Sequence, residues 1–308
     1  MASSSPPDRR TRLMGFAWVL AAYLVALGLA ILSALPLPAG THPLVVVAVG
    51  DLVGTVAIFA FSFVFRNSSF YDPYWSVAPV PIAIYLASHP QAVDDAVPGR
   101  QVVAIALVTL WGLRLTWNWA RGWTGLHHED WRYGKLREDT GKAYWLVSFS
   151  GIHLFPTVLV YLGCLGLYPA LLAGSRPFGL LDLLAAAVTA GAVVIEGLAD
   201  DQLRAFVRRN RDPNRYLDTG LWAWSRHPNY FGEVSFWWGV WLFGLAADPS
   251  SAWWTAAGPL AMTGLFVFIS IPMMEKRMVA KRPAYAEHQR RVSMLLPLPP
   301  RRREAPSS

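Results

Sequence analysis

The chain holds one cysteine, Cys164, among its 308 residues. A single thiol closes no disulfide within the chain and cannot build a cysteine metal cluster. Charge is scarce as well, at 15% of residues against 54% hydrophobic, and the mean hydropathy is +0.32. A soluble domain of this size has no use for so much apolar surface, which places the chain in the membrane class. Strand-like alternation is missing, so the apolar runs read as helices, whose backbone groups bond internally in lipid. Internal repeats and long linkers are also missing, leaving one membrane domain over residues 13–298 between polar tails at 1–12 and 299–308.

A hydrocarbon core of about 30 Å needs roughly 20 apolar residues per helix. Segments near 13–35, 44–65, 101–120, 143–172, 178–199, 230–246 and 253–274 meet that length, and 74–88 is a weaker eighth. The expected fold is an all-α integral membrane bundle of seven or eight spans. The first run is too long for a signal-peptide core and lacks a small-residue cleavage site, so it reads as a retained span.

A net charge of +7 could point to nucleic acid, but the placement of the charges decides otherwise. Threaded from an inside N-terminus, all but Arg100, Arg114 and Arg176 of the 27 Lys and Arg fall in inside segments. That asymmetry is the positive-inside rule, with both termini cytosolic, and it argues against a nucleic-acid partner. Arginines of the last segment suit anionic headgroups, making membrane lipids a partner. The membrane is either a bacterial inner membrane or the endoplasmic reticulum.

The polar chemistry gathers at the inside end. Glu196, Asp200, Arg204 and Arg208 recur every four residues and form one helical stripe. Arg204 and Arg208 alone could be an intrahelical ladder, but a carboxylate inside a span costs ~2.5–3.5 kcal/mol and marks a function or a buried partner. Arg114, Asn118 and Arg121 share a face of another span, where Arg114 calls for an acid such as Glu196 or a ligand phosphate. In "SRHPNYFGE", a helix start with Arg226 and His227 suits an anion, while Asn229 and Glu233 lie four apart on one face. The plainer reading there is a helix cap with a snorkelling arginine. Tyr71, Asp72 and Tyr74 are either an aromatic belt or proton donors to a substrate entering from the membrane. The adjacent His127 and His128 lack the spaced ligands of a metal site, so no metal is expected. The C-terminal segment with Arg277 and Tyr285 either lies on the membrane or closes over a nucleotide.

The pieces "EGLADDQLRAF", "EDWRY", "DTGLWAWSRHPNYFGE" and "RPAYAEH" together resemble the DUF1295 membrane family, related to the C-terminal domain of steroid 5-alpha-reductases and to sterol reductases. Isoprenylcysteine and phospholipid methyltransferases share the Arg-His-Pro-x-Tyr piece. The resemblance implies an enzyme: a membrane oxidoreductase holding NADPH at the cytosolic side and reducing a carbon-carbon double bond of a lipid-soluble, steroid-like or isoprenoid enone. Carried onto this chain, Glu196, Asp200, Arg204, Arg208, Asn229, Glu233, Arg277 and Tyr285 are cofactor positions. Arg114, Asn118, Arg121, Arg226, His227 and Tyr230 join them by position, and Tyr71, Asp72 and Tyr74 are the catalytic candidates. The alternative is an S-adenosylmethionine-dependent lipid methyltransferase, against which the arginine stripe argues, because that cofactor has no phosphate.

Overall fold

A computed structural model describes residues 9–301, with the side chains of residues 93–95 left aside. Among the described residues the structure is helical, with no strand beyond one isolated bridge between Ser225 and Ser293. Two long helices, α1 (Arg9–Ala34) and α2 (Pro43–Val64), pack along one another. Short helices α3 (Tyr74–Val77), α4 (Pro79–Ser88) and α5 (Pro90–Asp95) lead into α6 (Pro98–Gly122). After α7 (Trp131–Thr140), α8 (Tyr144–Val147) and α9 (Phe155–Gly163) come the two central helices, α10 (Leu180–Arg209) and α11 (Pro228–Ala247). The chain closes with α12 (Ala252–Thr255), α13 (Ala257–Gly264), α14 (Ile271–Lys281) and α15 (Tyr285–Arg291).

Six helical segments are long and apolar enough to cross a membrane: Arg9–Ala34, Pro43–Val64, Pro98–Gly122, Trp131–Ala173, Leu180–Arg209 and Pro249–Lys281. The chain is therefore a multi-pass membrane protein. Two of the eight expected spans fall outside this set. Residues 74–88 break at Pro79 into two helices too short to cross by themselves. The segment at 230–246 is the 20-residue α11, enclosed by its neighbours over most of its length, with Asn229, Tyr230, Glu233 and three tryptophans among its apolar residues. The expected N-terminal tail is shorter than residues 1–12, because α1 already includes Arg9 to Arg12, and Arg12 donates to the Ala120 carbonyl at 2.8 Å. Residues 1–8 and 302–308 lie outside the described residues.

Prolines shape the broken spans. Pro156 and Pro272 each lack the N–H of the regular ladder and crowd the carbonyl one turn back. The segments just before them, Ser148–Leu154 and Leu265–Ser270, widen into π-helical turns that accommodate the ring. Each crossing thus continues as a helix without a straight axis.

The core lies where α10 and α11 meet. Gly232 and Gly239, seven residues apart on one face of α11, let the two backbones approach, and a Cβ at Gly232 would come 2.9 Å from the Ala192 carbonyl oxygen. At Gly239 it would run into Thr189. At one end of the bundle, Arg100 is fully buried and donates to Asp182 at 2.6 and 3.1 Å and to the Arg176 carbonyl at 3.0 Å. Asp182 also accepts from the Gly179 N–H at 2.8 Å, so one ion pair pins the start of α6 to the start of α10. The other end carries Arg12, Arg121, Arg204 and Arg226 and is called the basic end below.

The helix seam predicts a contrast between two glycines. Gly239→Ala will lower stability in detergent by roughly 1–3 kcal/mol, the cost of overpacking. Gly191→Ala, where the added carbon meets no atom within 4 Å, will leave stability unchanged or slightly raised. Thermal unfolding of the two variants checks this.

Candidate functional site

The α10 stripe meets α6 and α11 at the basic end, inside the span. Arg114 reaches two acids of α10: its guanidinium is paired with Glu196 and donates to Asp200 Oδ2 at 3.0 Å. Asn118, one turn along α6, donates to the same Asp200 oxygen at 2.9 Å. Its own carbonyl oxygen accepts from Arg121 and Arg204, each at 2.9 Å. Arg121 also pairs with Asp201 at 3.0 Å. From α11, Asn229 donates to Asp200 Oδ1 at 3.4 Å. Glu233 lies beside Glu196 and accepts from the indoles of Trp111 at 3.1 Å and Trp237 at 2.8 Å.

Eight of the residues singled out in the sequence therefore form one cluster: Arg114, Asn118, Arg121, Glu196, Asp200, Arg204, Asn229 and Glu233. The pairing expected of Arg114 with an intramembrane acid is present. Trp111 and Trp237 carry no charge and gave no signal of their own. They enter the cluster because a buried carboxylate needs donors that cost no further charge. The cluster is also incompletely satisfied. Asn229 Oδ1 and Arg114 Nε are buried and have no hydrogen-bond partner, and Glu196 Oε2 has none beyond the neighbouring Glu233 carboxyl. Unpaired buried polar atoms are rare and costly, and these mark the cluster as a candidate site.

The remaining candidates lie elsewhere. Arg208 is exposed one turn beyond Arg204. Arg226 and His227 do not face a ligand site. The Arg226 guanidinium donates to Glu275 at 2.6 and 3.2 Å and to the carbonyls of Gln289 and Val292, both at 2.7 Å. His227 Nε2 lies 3.0 Å from Glu275, and Gln289 donates to Glu275 at 2.7 Å. Glu275 is thus the hub of an internal lock that ties the start of α11 to α14 and α15. Ser225 and the Arg226 N–H add bonds to the Leu295 and Ser293 carbonyls at 2.7 and 2.9 Å. Tyr230 stacks on His227 at 5.3 Å. Arg277 lies 3.3 Å over the Trp131 ring, and Tyr285 packs edge-on against Tyr216.

A second polar cluster, between α2, α3 and α9, takes in two of the three catalytic candidates. The Tyr74 hydroxyl donates to Asp51 at 3.3 Å, and the hydroxyls of Tyr71 and Thr55 each lie 2.8 Å from that of Thr157. His153 is bound to Ser62 at 3.0 Å. Asp51 Oδ2 is buried without a partner. Sequence reading passed over Asp51, although a lone acid in the apolar run 44–65 was the available signal. Trp75 and Trp111, 5.7 Å apart, join this cluster to the first. Asp72 belongs to neither. It accepts from Tyr133 at 2.6 Å, which fastens the loop after α2 to α7.

Burial pushes the Asp72 carboxyl up from its ordinary 3.8 to about 6, against the opposing bond from Tyr133. A raised carboxyl contributes stability below its unfolded value, and that contribution is lost as pH rises through the folded one. The melting temperature of the wild type relative to Asp72→Asn will therefore fall between pH 4 and 7. Separately, Glu275→Ala leaves Arg226 buried without its acid, a loss of roughly 3–5 kcal/mol. It will expose residues 276–301 to limited proteolysis, while the conservative Arg290→Gln will not.

Comparison with known proteins adds relationship without chemistry. The profile of a family described as "protein of unknown function (DUF1295)" matches residues 58–292. An uncharacterized protein of Schizosaccharomyces pombe is 31% identical over 253 residues, which cover 75% of this chain and 73% of that one. No solved structure matches the chain.

Proposed function

The chain belongs to the DUF1295 family, and from the geometry of its two polar clusters we propose that it is an NADPH-dependent membrane reductase of a carbon-carbon double bond in an apolar, carbonyl-bearing lipid. The observation that carries this reading is the buried acceptor Asn229 Oδ1, which has no partner, next to the Glu196–Glu233 carboxyl pair and Arg114. An open amide acceptor beside carboxyl oxygens suits a ligand with amide or hydroxyl donors, and a carboxamide offers two hydrogens from one nitrogen. A bound nicotinamide cofactor supplies the hydride. The protein's part is to orient, to keep water out and to place a proton.

Glu196, Asp200 and Asn229 hold the cofactor's reactive end at the foot of α11, and Glu233 fixes the indoles of Trp111 and Trp237 as a dry wall beside it. Across that wall, the Tyr74 hydroxyl is the proton donor to a substrate oxygen on which charge develops, its one proton turning from Asp51 to that oxygen when substrate is bound. Asp51 holds that hydroxyl in place before substrate arrives, and the Tyr71–Thr157–Thr55 set holds the adjacent ring. The substrate reaches this place from the lipid, consistent with a donor inside the span. Asp72, bound to Tyr133 outside both clusters, has no part in the proton step. The lipid or isoprenylcysteine methyltransferase reading is less well supported, because methyl transfer needs no proton delivered to the substrate and S-adenosylmethionine has no carboxamide.

Titration of the purified protein in detergent tests the reading. NADPH at a hundredfold excess over its Kd will stabilise the fold by about 2.7 kcal/mol, and S-adenosylmethionine will not. Asn229→Ala and Asp200→Asn will weaken NADPH binding at least tenfold. Tyr74→Phe will keep the binding and lose roughly 100-fold or more of any deuteride transfer from labelled cofactor to an enone lipid. Stabilisation by S-adenosylmethionine alone would replace this function with the methyltransferase.

A further inference from the structure

A cavity at the basic end lies outside both polar clusters. It has a volume of about 610 Å³ and opens at the basic end, between the last turn of α10 and the loop 210–220. Arg209, Arg211 and Arg215 line it, with Asp212 as the acid among them. None of the three guanidiniums has an ion pair or hydrogen bond among the described residues, whereas Asp212 Oδ1 is occupied by the Asn214 N–H at 2.8 Å.

The loop that forms the outer wall is held in place from both sides. Gln202, itself lining the cavity, accepts from the Leu221 N–H at 3.0 Å. Arg282 of the C-terminal segment donates to the Pro213 carbonyl at 2.8 Å. Asn210 and Asp212 close consecutive turns inside the loop, with bonds of 2.6 and 3.2 Å between them. Three cations thus line a preformed concavity, in contrast to Arg204, which is taken up by Asn118.

Position along α10 connects this cavity to the first cluster. Nine residues separate Asp200 from Arg209, a rise of roughly 14 Å on an α-helix, which an extended dinucleotide can bridge. Guanidinium groups bind phosphate oxygens two at a time, and most strongly where the phosphate is a dianionic monoester.

We propose that the cavity of Arg209, Arg211 and Arg215 binds the phosphate-bearing adenosine end of the cofactor, and that its recognition of the ribose 2′-phosphate selects NADPH over NADH. This rests on the dinucleotide reading above. The phosphate-recognising arginines are accordingly those beyond the α10 stripe, and Arg204 serves to hold Asn118.

Titrations of the full chain in detergent with NADPH, NADH and adenosine 2′,5′-bisphosphate provide the test. The wild type will bind NADPH at least tenfold more tightly than NADH and will bind the bisphosphate, which has no nicotinamide. The triple variant Arg209→Gln, Arg211→Gln, Arg215→Gln will bring NADPH to within about threefold of NADH, leave NADH affinity unchanged and lose the bisphosphate. These arginines are exposed, so the variant keeps its fold, and Arg290→Gln with Arg291→Gln controls for loss of general positive charge. NADPH selectivity that survives the triple change overturns the inference while leaving the reductase reading in place. Absence of all dinucleotide binding overturns both. Arginine-dependent binding to phosphatidylglycerol nanodiscs, with no response to the bisphosphate, overturns it in favour of a lipid headgroup.

Discussion

One ion-pair system holds the membrane interior of this protein together: Arg114 of α6 set against Glu196 and Asp200 of α10. Each of these charges would be costly in lipid by itself, and none is tolerable there without a partner. Because Arg114 binds two acids at once, the registers of α6 and α10 are fixed relative to each other. Asn118 and Arg204 then follow as a second layer, and α11 can add Asn229 and Glu233 only because glycine permits its close approach to α10. The Arg100–Asp182 pair does the same for α6 and α10 at the opposite end. The two helices are thereby clamped at both ends, and the polar centre between them is rigid.

Rigidity of this kind serves a binding site better than it serves stability. Buried ion pairs roughly break even against apolar packing, yet here they leave certain atoms deliberately unpaired. Asn229 keeps an acceptor without a partner while its amide nitrogen is tied to Asp200, an arrangement that suits the ligand surface proposed above. The aromatic wall of Trp75, Trp111 and Trp237 keeps the dielectric low around these groups, and Trp75 packs on its far side against the aromatic cluster that holds Tyr71 and Tyr74. Polar function and apolar surroundings depend on each other at every point of the centre.

Much of this was legible in the sequence where spacing alone carries the information. The four-residue repeat of Glu196, Asp200 and Arg204 puts them on one face in any helix, and a buried Arg114 demands an acid whatever the fold. Contacts between distant elements were not legible. Arg226 has the composition of an anion site, and only the return of Glu275, 49 residues later, turns it into an internal lock. Tyr74 was visible as a candidate beside Tyr71 and Asp72, but local sequence cannot show that α2 carries Asp51 to its hydroxyl. The weak span at 74–88 read as continuous because hydropathy averages over Pro79, whereas the backbone does not.

The lock around Arg226 also orders events during synthesis. Each of the hydrogen-bond partners of its guanidinium lies further along the chain, at Glu275, Gln289 and Val292. While α11 is being inserted, the arginine at its entrance has no acid to meet, and the helix that carries Asn229 and Glu233 is not yet anchored. Only when α14 and α15 have emerged does the charge find its place. Burial of this charge is therefore completed by α14, α15 and the turn after them, and α11 cannot supply it from its own residues.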